Sequence, residues 1–507
     1  MNRKQRVVVV GNGMVGHHFV EQITSLINPN TGVEVTVLSG EERLAYDRVH
    51  LSAFFAGKTA NDLALTNEQI YADWQVRFYT NAKVTDINRL KQQVTTSEGA
   101  TFDYDKLVLA TGSFPFVPPI PGKDREHCLV YRTIADLNAI KHSASSSKVG
   151  VVIGGGLLGL EAANALKQLG LETHVVEFAP QLMGVQVDGG GGRLLKDKIT
   201  ALGVQVHTSM ATEAIVDGEH CRYKMCFKGG KTLETDLILF SAGIRPYDNL
   251  AREFDLAVGE RGGIVINNYC QTSDQNIYAI GECALWGNFI FGLVAPGYAM
   301  AKIAAKHILF NNTDDAFNGA DMSTKLKLMG VEVGSIGDAH ARTQGARSYV
   351  FDDQLSGVYK KIVTNQAGTQ VIGAVLVGDT SDYDNLLQYH LHDLALNIAP
   401  ESLILPLAPT PDTISIAELA ADALICSCHQ VTKHTIEQAV LAGATDLVGV
   451  QTVTKACTGC GSCESRVNCI IEHSLTEHSL TEHSLAITQA EPKRLSDDAL
   501  IPVTELA

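Results

Sequence analysis

Six of the eleven cysteines crowd one segment, Cys426, Cys428, Cys457, Cys460, Cys463 and Cys469, whereas Cys128, Cys221, Cys226, Cys270 and Cys283 are scattered. Scattered thiols read as half-buried apolar residues in a reducing compartment. The crowd is spaced for ligation: C-x-C at Cys426 and Cys428 is followed 32 positions later by C-x-x-C. Four thiolates on two short loops separated by helices suit a [2Fe-2S] cluster. Tetrahedral zinc is the alternative, although zinc sites usually carry a C-x-x-C knuckle on both sides.

A second chemistry lies upstream. Val7-Val8-Val9-Val10 runs into a loop containing Gly11, Gly13, Met14 and Gly16, and Val151-Val152-Ile153 runs into one containing Gly154, Gly156, Leu158 and Gly159. Each combines a buried parallel strand with a glycine turn that opens a helix, whose amides can face a pyrophosphate. Acidic residues follow at the distances that suit ribose. Glu177 stands 23 positions beyond Gly154, and its carboxylate predicts NADH over NADPH. For the first loop Glu41 and Glu42 compete, with Ser39-Gly40 in the expected place. Gly281-Glu282 closes a later strand, where a carboxylate can accept from sugar or ribityl hydroxyls. Small residues at Ala110-Thr111-Gly112 allow close backbone approach to a cofactor, and Gly243 lies where the chain returns from the second unit to the first. Glu161, near the start of the second helix, serves either the helix dipole or the nicotinamide. Ala45 to Ser52, which includes Arg48, reads either as a solvated loop with a salt bridge or as part of a cofactor site.

The elements that hold these residues are α/β. The fold class is two Rossmann-like dinucleotide domains, one inserted in the other, a small α+β domain and a small helical [2Fe-2S] domain. Boundaries are expected at 1–120 with 241–320, 121–240, 321–410 and 420–471, followed by a low-complexity tail, 472–507. A turn at Asn28-Pro29-Asn30 ends the first helix, and proline-rich 115–121 links the nucleotide domains. Alternating residues from 323 to 378 predict an antiparallel sheet followed by helices to about Ala399. That domain is expected to cover the flavin and to offer a dimer contact. Ala408 to Thr413 reads as a proline-bearing linker, and the TEHSL repeat as a solvated expansion.

Composition bounds the partners. The chain has 507 residues, 45% of them apolar, and a formal net charge of -16, which argues against nucleic acid or an anionic membrane. No apolar run is long enough to span a bilayer, so a cytoplasmic location is expected.

Val9 to Gly16, Ala45 to Ser52, Val130-Tyr131-Arg132-Thr133, Gly154 to Glu161, Leu326 to Asp338 and Thr380-Ser381-Asp382-Tyr383 resemble the amino-terminal half of the assimilatory NAD(P)H-nitrite reductase large subunit. The resemblance extends through the cysteine module to about residue 470. It implies FAD at the first glycine loop, NADH at the second, and a bacterioferritin-associated-ferredoxin-like [2Fe-2S] domain. It also implies the ligands Cys426, Cys428, Cys460 and Cys463, because the family's Thr-Gly-Cys-Gly-x-Cys is similar to Thr458-Gly459-Cys460-Gly461-Ser462-Cys463. Cys457 falls where that family usually has glycine, so it and Cys469 are spare thiols in this reading. The sirohaem half of the family would have to follow residue 507. The expectation is therefore a free-standing electron-transfer subunit, serving a separate nitrate or nitrite reductase catalytic subunit.

In this reading Arg48 and Glu161 are the catalytic candidates, and Arg48 and Glu282 help to hold the flavin. Hydride donors move electrons in pairs and such clusters move one, which is the reason to join a flavin to an iron-sulfur centre. A disulfide relay is disfavoured, since no cysteine pair closely follows either glycine loop. The rival readings are an NADH-rubredoxin or ferredoxin reductase and a redox-sensing flavoprotein.

Overall fold

The computed structural model describes residues 4–27, 32–405, 416–459 and 461–488. They divide into two compact units: residues up to Thr413 with Ser427–Gln430, and Ile414–Cys426 with the residues from Val431. The expected turn at 28–30, the linker at 408–413 and Cys460 lie outside the described residues.

Val7 to Val10 have no polar alternation, so the strand that carries them must bury both faces. The strand Gln5–Val10 is accordingly central in a five-stranded parallel sheet, in the order Ile277–Ala279, Lys106–Leu109, Gln5–Val10, Val33–Leu38 and Arg77–Tyr79. Helices Met14–Leu26 and Val294–Phe310 contribute Phe19, Val20, Ile23, Met300, Ala301 and Ala304 to its core.

A second parallel sheet repeats the plan, with Val149–Ile153 in the centre of Val204–His207, Glu172–Val176, Val149–Ile153, Leu237–Phe240 and Cys128–Val130. All its strands fall between Lys106–Leu109 and Ile277–Ala279 of the first sheet, so the second domain is an insertion. The outgoing strand Ser113–Pro115 and the returning strand Ile244–Pro246 pair antiparallel, which ties the two crossings together.

The third domain is a five-stranded antiparallel sheet in the order Thr324–Leu328, Val331–Gly337, Val371–Val377, Val358–Thr364 and Arg347–Asp353. Both lysines of Val358–Thr364 are buried. Lys360 meets Asp379 and Asp382 at 2.6 Å each, and Lys361 meets Asp188 at 2.9 Å. One helix follows, Tyr383–Leu391, so the helical structure expected through Ala399 stops eight residues early, and the next helical element is a 3-10 turn, Pro400–Leu403. Asp393 has a positive φ of 49°, a conformation that an α-helix cannot continue through.

Helix Gly189–Ala201 begins with four glycines yet is well anchored. Its N-cap Asp188 accepts from Gly191 N at 3.1 Å and, from the third domain, from Tyr359 OH and Lys361 Nζ at 2.9 Å each. A Cβ at Gly190 would lie 2.3 Å from the Tyr359 ring.

The carboxy-terminal unit contains helices Lys433–Leu441, Leu447–Thr454 and Glu464–Thr488. Thr432 and Asp446 cap the first two, and Ile436, Val440, Val450, Val467 and Ile470 are buried. The last helix crosses the boundary expected at residue 472, so the tail is helical as far as Thr488. Leu, Glu, Thr and His in the repeat tolerate a helix, and neither glycine nor proline interrupts it. No described helix is long and apolar enough to cross a membrane.

Candidate functional site

The two glycine loops have the same internal geometry. Gly11 has φ +103° and an added Cβ would lie 2.3 Å from Ala110 O; Gly154 has φ +118° and its Cβ would lie 2.2 Å from Ser241 O. In both, the loop presses on the backbone of the next strand's end, which only glycine permits. The last glycines are just as confined, with Gly16 against Gly11 O at 2.3 Å and Gly159 against Gly154 O at 2.0 Å. The middle glycines differ in kind. Gly156 has nothing within 4 Å of its Cβ position, and Gly13 only Arg48 Nε at 3.9 Å.

These middle glycines are the N-caps of Met14–Leu26 and Leu157–Gln168, and neither helix has a side-chain cap. The free amides of two helix starts thus face open space in which a Cβ would intrude. That is the cradle a pyrophosphate needs. Leu158 lies in the first turn of the second helix. At the first cradle, Asn12 Nδ2 and Arg132 Nε are buried donors without a partner among the described residues, which also fits an anionic, hydroxyl-rich group.

A polar chain spans the first cradle. Glu41 accepts from Tyr46 OH at 2.8 Å and from the Arg48 guanidinium, which also donates to Arg132 O at 3.3 Å and lies 4.6 Å from the centre of the Tyr46 ring. Arg132 continues to Glu282 at 2.5 Å, and Glu282 accepts from Ser113 at 2.6 Å. Met14 Sδ accepts from Arg48 N at 3.4 Å. The structure therefore gathers Met14, Glu41, Arg48 and Glu282 around the first cradle. Glu42 instead pairs with Arg43, largely exposed. Ala110 backs Gly11, and Gly281 packs on Val15. Thr111 Oγ1 donates to Tyr247 O at 2.7 Å, so its hydroxyl is engaged at the interdomain crossing. Gly112 and Gly243 flank the same crossing, both with positive φ and open Cβ positions. Ser113 escaped the sequence reading, and Arg132 entered it only within the stretch 130–133, without a role in the site. The available signal for Arg132 was a lone cation between a strand and a capped helix start, Thr133.

At the second cradle Glu177 accepts from Gly155 N and Ala179 N, both at 2.6 Å. Its carboxylate is thereby fixed against the glycine loop.

Glu161 sits elsewhere than a capping acid would. The first turn of Leu157–Gln168 holds no acid, and Glu161 lies one residue beyond it. Burial pushes its carboxyl up to about 7, partly offset by His50. His50 Nδ1 lies 2.7 Å from Asp47 Oδ2, which holds the imidazole above its ordinary value, with Glu161 adding to the effect. Tyr131 OH, buried and without a partner, is pushed up by burial and by Glu161. This acid–imidazole–phenol corner joins residues of both nucleotide domains.

In the carboxy-terminal unit, Cys426 and Cys463 are buried and hydrogen-bonded to each other. Cys457 joins them, its Sγ 3.3 Å from that of Cys463. No group of three metal-ligating side chains is complete among the described residues, which exclude Cys460. The thiols that meet there are those of Cys426, Cys457 and Cys463, so two of the four expected ligands, Cys426 and Cys463, are brought together among the described residues, and thiol donors are what iron–sulfur ligation uses. Cys428 is half-buried, and Cys469 is exposed.

Two dinucleotide cradles on two parallel sheets, and a thiol module in the carboxy-terminal part of the same chain, define an NAD(P)H-dependent flavoprotein oxidoreductase with FAD, NAD(P)H and a [2Fe-2S] cluster as cofactors. The chain belongs to the pyridine nucleotide-disulphide oxidoreductase family, whose model matches residues 5–307. Residues 323–389 match the rubredoxin NAD+ reductase C-terminal domain, and residues 424–473 the BFD-like [2Fe-2S] binding domain. Over 475 residues the chain is 50% identical to the nitrite reductase (NADH) large subunit of Escherichia coli K12, covering 93% of this chain and 56% of that protein. It is 34% identical over 473 residues to the assimilatory nitrate reductase electron transfer subunit of Bacillus subtilis 168, covering 93% and 60%. The chain thus spans about half the length of the curated relatives it matches. NADH:rubredoxin oxidoreductase from Clostridium acetobutylicum shares the fold, with a TM-score of 0.65 at 20% identity over 79% of this chain and 99% of that one.

Proposed function

We propose that this chain is a cytoplasmic NADH-dependent electron-transfer protein that supplies a nitrate or nitrite reductase catalytic subunit carried on a separate chain. FAD lies at the first cradle, with Gly11, Gly13, Gly16, Glu41, Arg48, Arg132 and Glu282. NADH lies at the second, with Gly154, Gly156, Gly159 and Glu177. When bound, flavin and cluster supply the conversion of a hydride's electron pair into single electrons. The protein's part is to hold and orient. Two helix starts face the pyrophosphates, the Arg132–Glu282 pair fixes a carboxylate for hydroxyls, and Glu161 holds or releases a proton between the domains. Cys426, Cys428, Cys460 and Cys463 hold the cluster.

The observation that carries the reading is the duplicated cradle geometry in one chain with a BFD-like module. The name of the Bacillus subtilis relative, an electron transfer subunit of nitrate reductase, supports the separate acceptor. The match of residues 323–389 to a rubredoxin reductase domain favours a second reading, in which rubredoxin takes the electrons. The test mixes the full chain anaerobically with NADH and follows flavin absorbance and the electron paramagnetic resonance of the cluster. Purified nitrate reductase, nitrite reductase or rubredoxin is then added. The expected result is bleaching, a reduced-cluster signal, and turnover of nitrate or nitrite. A cluster that stays oxidised, or electrons accepted by rubredoxin alone, overturns the proposal.

A further inference from the structure

Cys457 has no place in the ligand set, yet the fold delivers it to that set. Its Sγ is 3.3 Å from Cys463 Sγ, and Cys463 is also hydrogen-bonded to Cys426. Helix Leu447–Thr454 is closed by Lys455 with φ +61°, and two residues later Cys457 has φ +62°. This tight double left-handed turn precedes the approach of the thiol to Cys463, the residue just before the last helix. Such values are uncommon for non-glycine residues. The three sulfurs differ in access: Cys457 is half-buried, whereas Cys426 and Cys463 are 2% and 4% exposed. An oxidant from solvent therefore meets Cys457 first.

We propose that Cys457 and Cys463 form a reversible disulfide in the cluster-free protein, a modification site that withdraws one ligand and blocks cluster insertion until it is reduced. The sulfurs must close from 3.3 Å to about 2.05 Å, a movement of about 1.3 Å that a turn can supply. The oxidant is a peroxide. Two S–H bonds and one O–O bond break, one S–S bond forms, and hydrogen peroxide takes the two electrons and two protons to leave two waters. A thiol reductant reverses the change by exchange. In the loaded protein Cys463 is committed to iron, so the bond forms only where the cluster is missing. The inference is independent of the identity of the final electron acceptor.

The test uses the full chain, stripped of its cluster and treated with hydrogen peroxide under argon. Remaining thiols are alkylated, and the tryptic peptide Ala456–Arg466, which contains Cys457, Cys460 and Cys463, is sequenced by tandem mass spectrometry. The expected result is Cys460 alkylated with Cys457 and Cys463 joined. A bond involving Cys460 or Cys426 instead, or no thiol loss, overturns the proposal. Iron and sulfide are then supplied, and uptake is read from visible absorbance and iron content. Oxidised wild type should take up less than about one-tenth of the iron bound by the reduced protein and recover with dithiothreitol. Cys457→Ser and Cys457→Gly should load fully before and after peroxide. Equal blockage of both variants refutes the assignment.

Discussion

Replacing Glu161 with Gln tests whether a proton is stored between the nucleotide domains. Burial raises this carboxyl from 4.5 to about 7, which corresponds to about 3 kcal/mol between its two protonation states. The folded-state value lies above the unfolded one, so the native protein keeps the proton longer. Stability from this group is therefore fully present below about pH 4.5 and is lost as pH rises through about 7. The difference in unfolding free energy, Glu161→Gln minus wild type, should increase across that window by up to about 3 kcal/mol and level off above about pH 8. In the proposed reading, with NADH at the second cradle, ionised Glu161 would place a negative charge near a nicotinamide that becomes cationic. In anaerobic stopped-flow reduction by NADH, the wild-type rate should rise through an inflection near pH 7, while Glu161→Gln stays flat and about tenfold slower at pH 8.5, equivalent to about 1.4 kcal/mol. If the two proteins have parallel stability profiles and parallel rate profiles from pH 5 to 9, the reasoning is wrong.

Glu177→Ala should raise the KM for NADH at least tenfold with little change in kcat, and should narrow the preference over NADPH. It also strands the Gly155 and Ala179 amides, each at a cost of about 1–3 kcal/mol where water cannot replace the carboxylate. Steady-state kinetics with both nucleotides and thermal unfolding measure the two effects. Gly156→Ala and Gly159→Ala should separate binding from folding. The first adds a methyl to open space and should weaken NADH binding with melting temperature unchanged. The second forces a methyl to within 2.0 Å of Gly154 O and should destabilise the inserted domain. Isothermal titration and melting curves of both variants decide it.

Some of this was legible in the chain because it is written in local rules. Unbroken β-branched runs before glycine turns foretold both parallel sheets, and the offset from Gly154 marked Glu177. The rest depends on encounters between distant segments. Nothing local says that Glu161 will lose its water beside Tyr131 and His50, or that Arg132 will lie on Glu282, 150 positions away. Lys360 and Lys361 fall in the expected antiparallel sheet, but their burial becomes intelligible only with Asp188, Asp379 and Asp382 in place. Gly189–Gly192, a run with poor intrinsic helix propensity, begins a helix that Asp188 caps and whose bare backbone leaves room for Tyr359.

That last arrangement has a mechanical consequence. One carboxylate, Asp188, belongs to the inserted domain but is gripped by a tyrosine and a lysine of the antiparallel sheet, through a surface from which side chains have been removed so that the two can touch. The inserted domain and that sheet are thereby riveted together at Asp188. The backbone enters and leaves the inserted domain through the twin strands at 113–115 and 244–246, only three residues on each side.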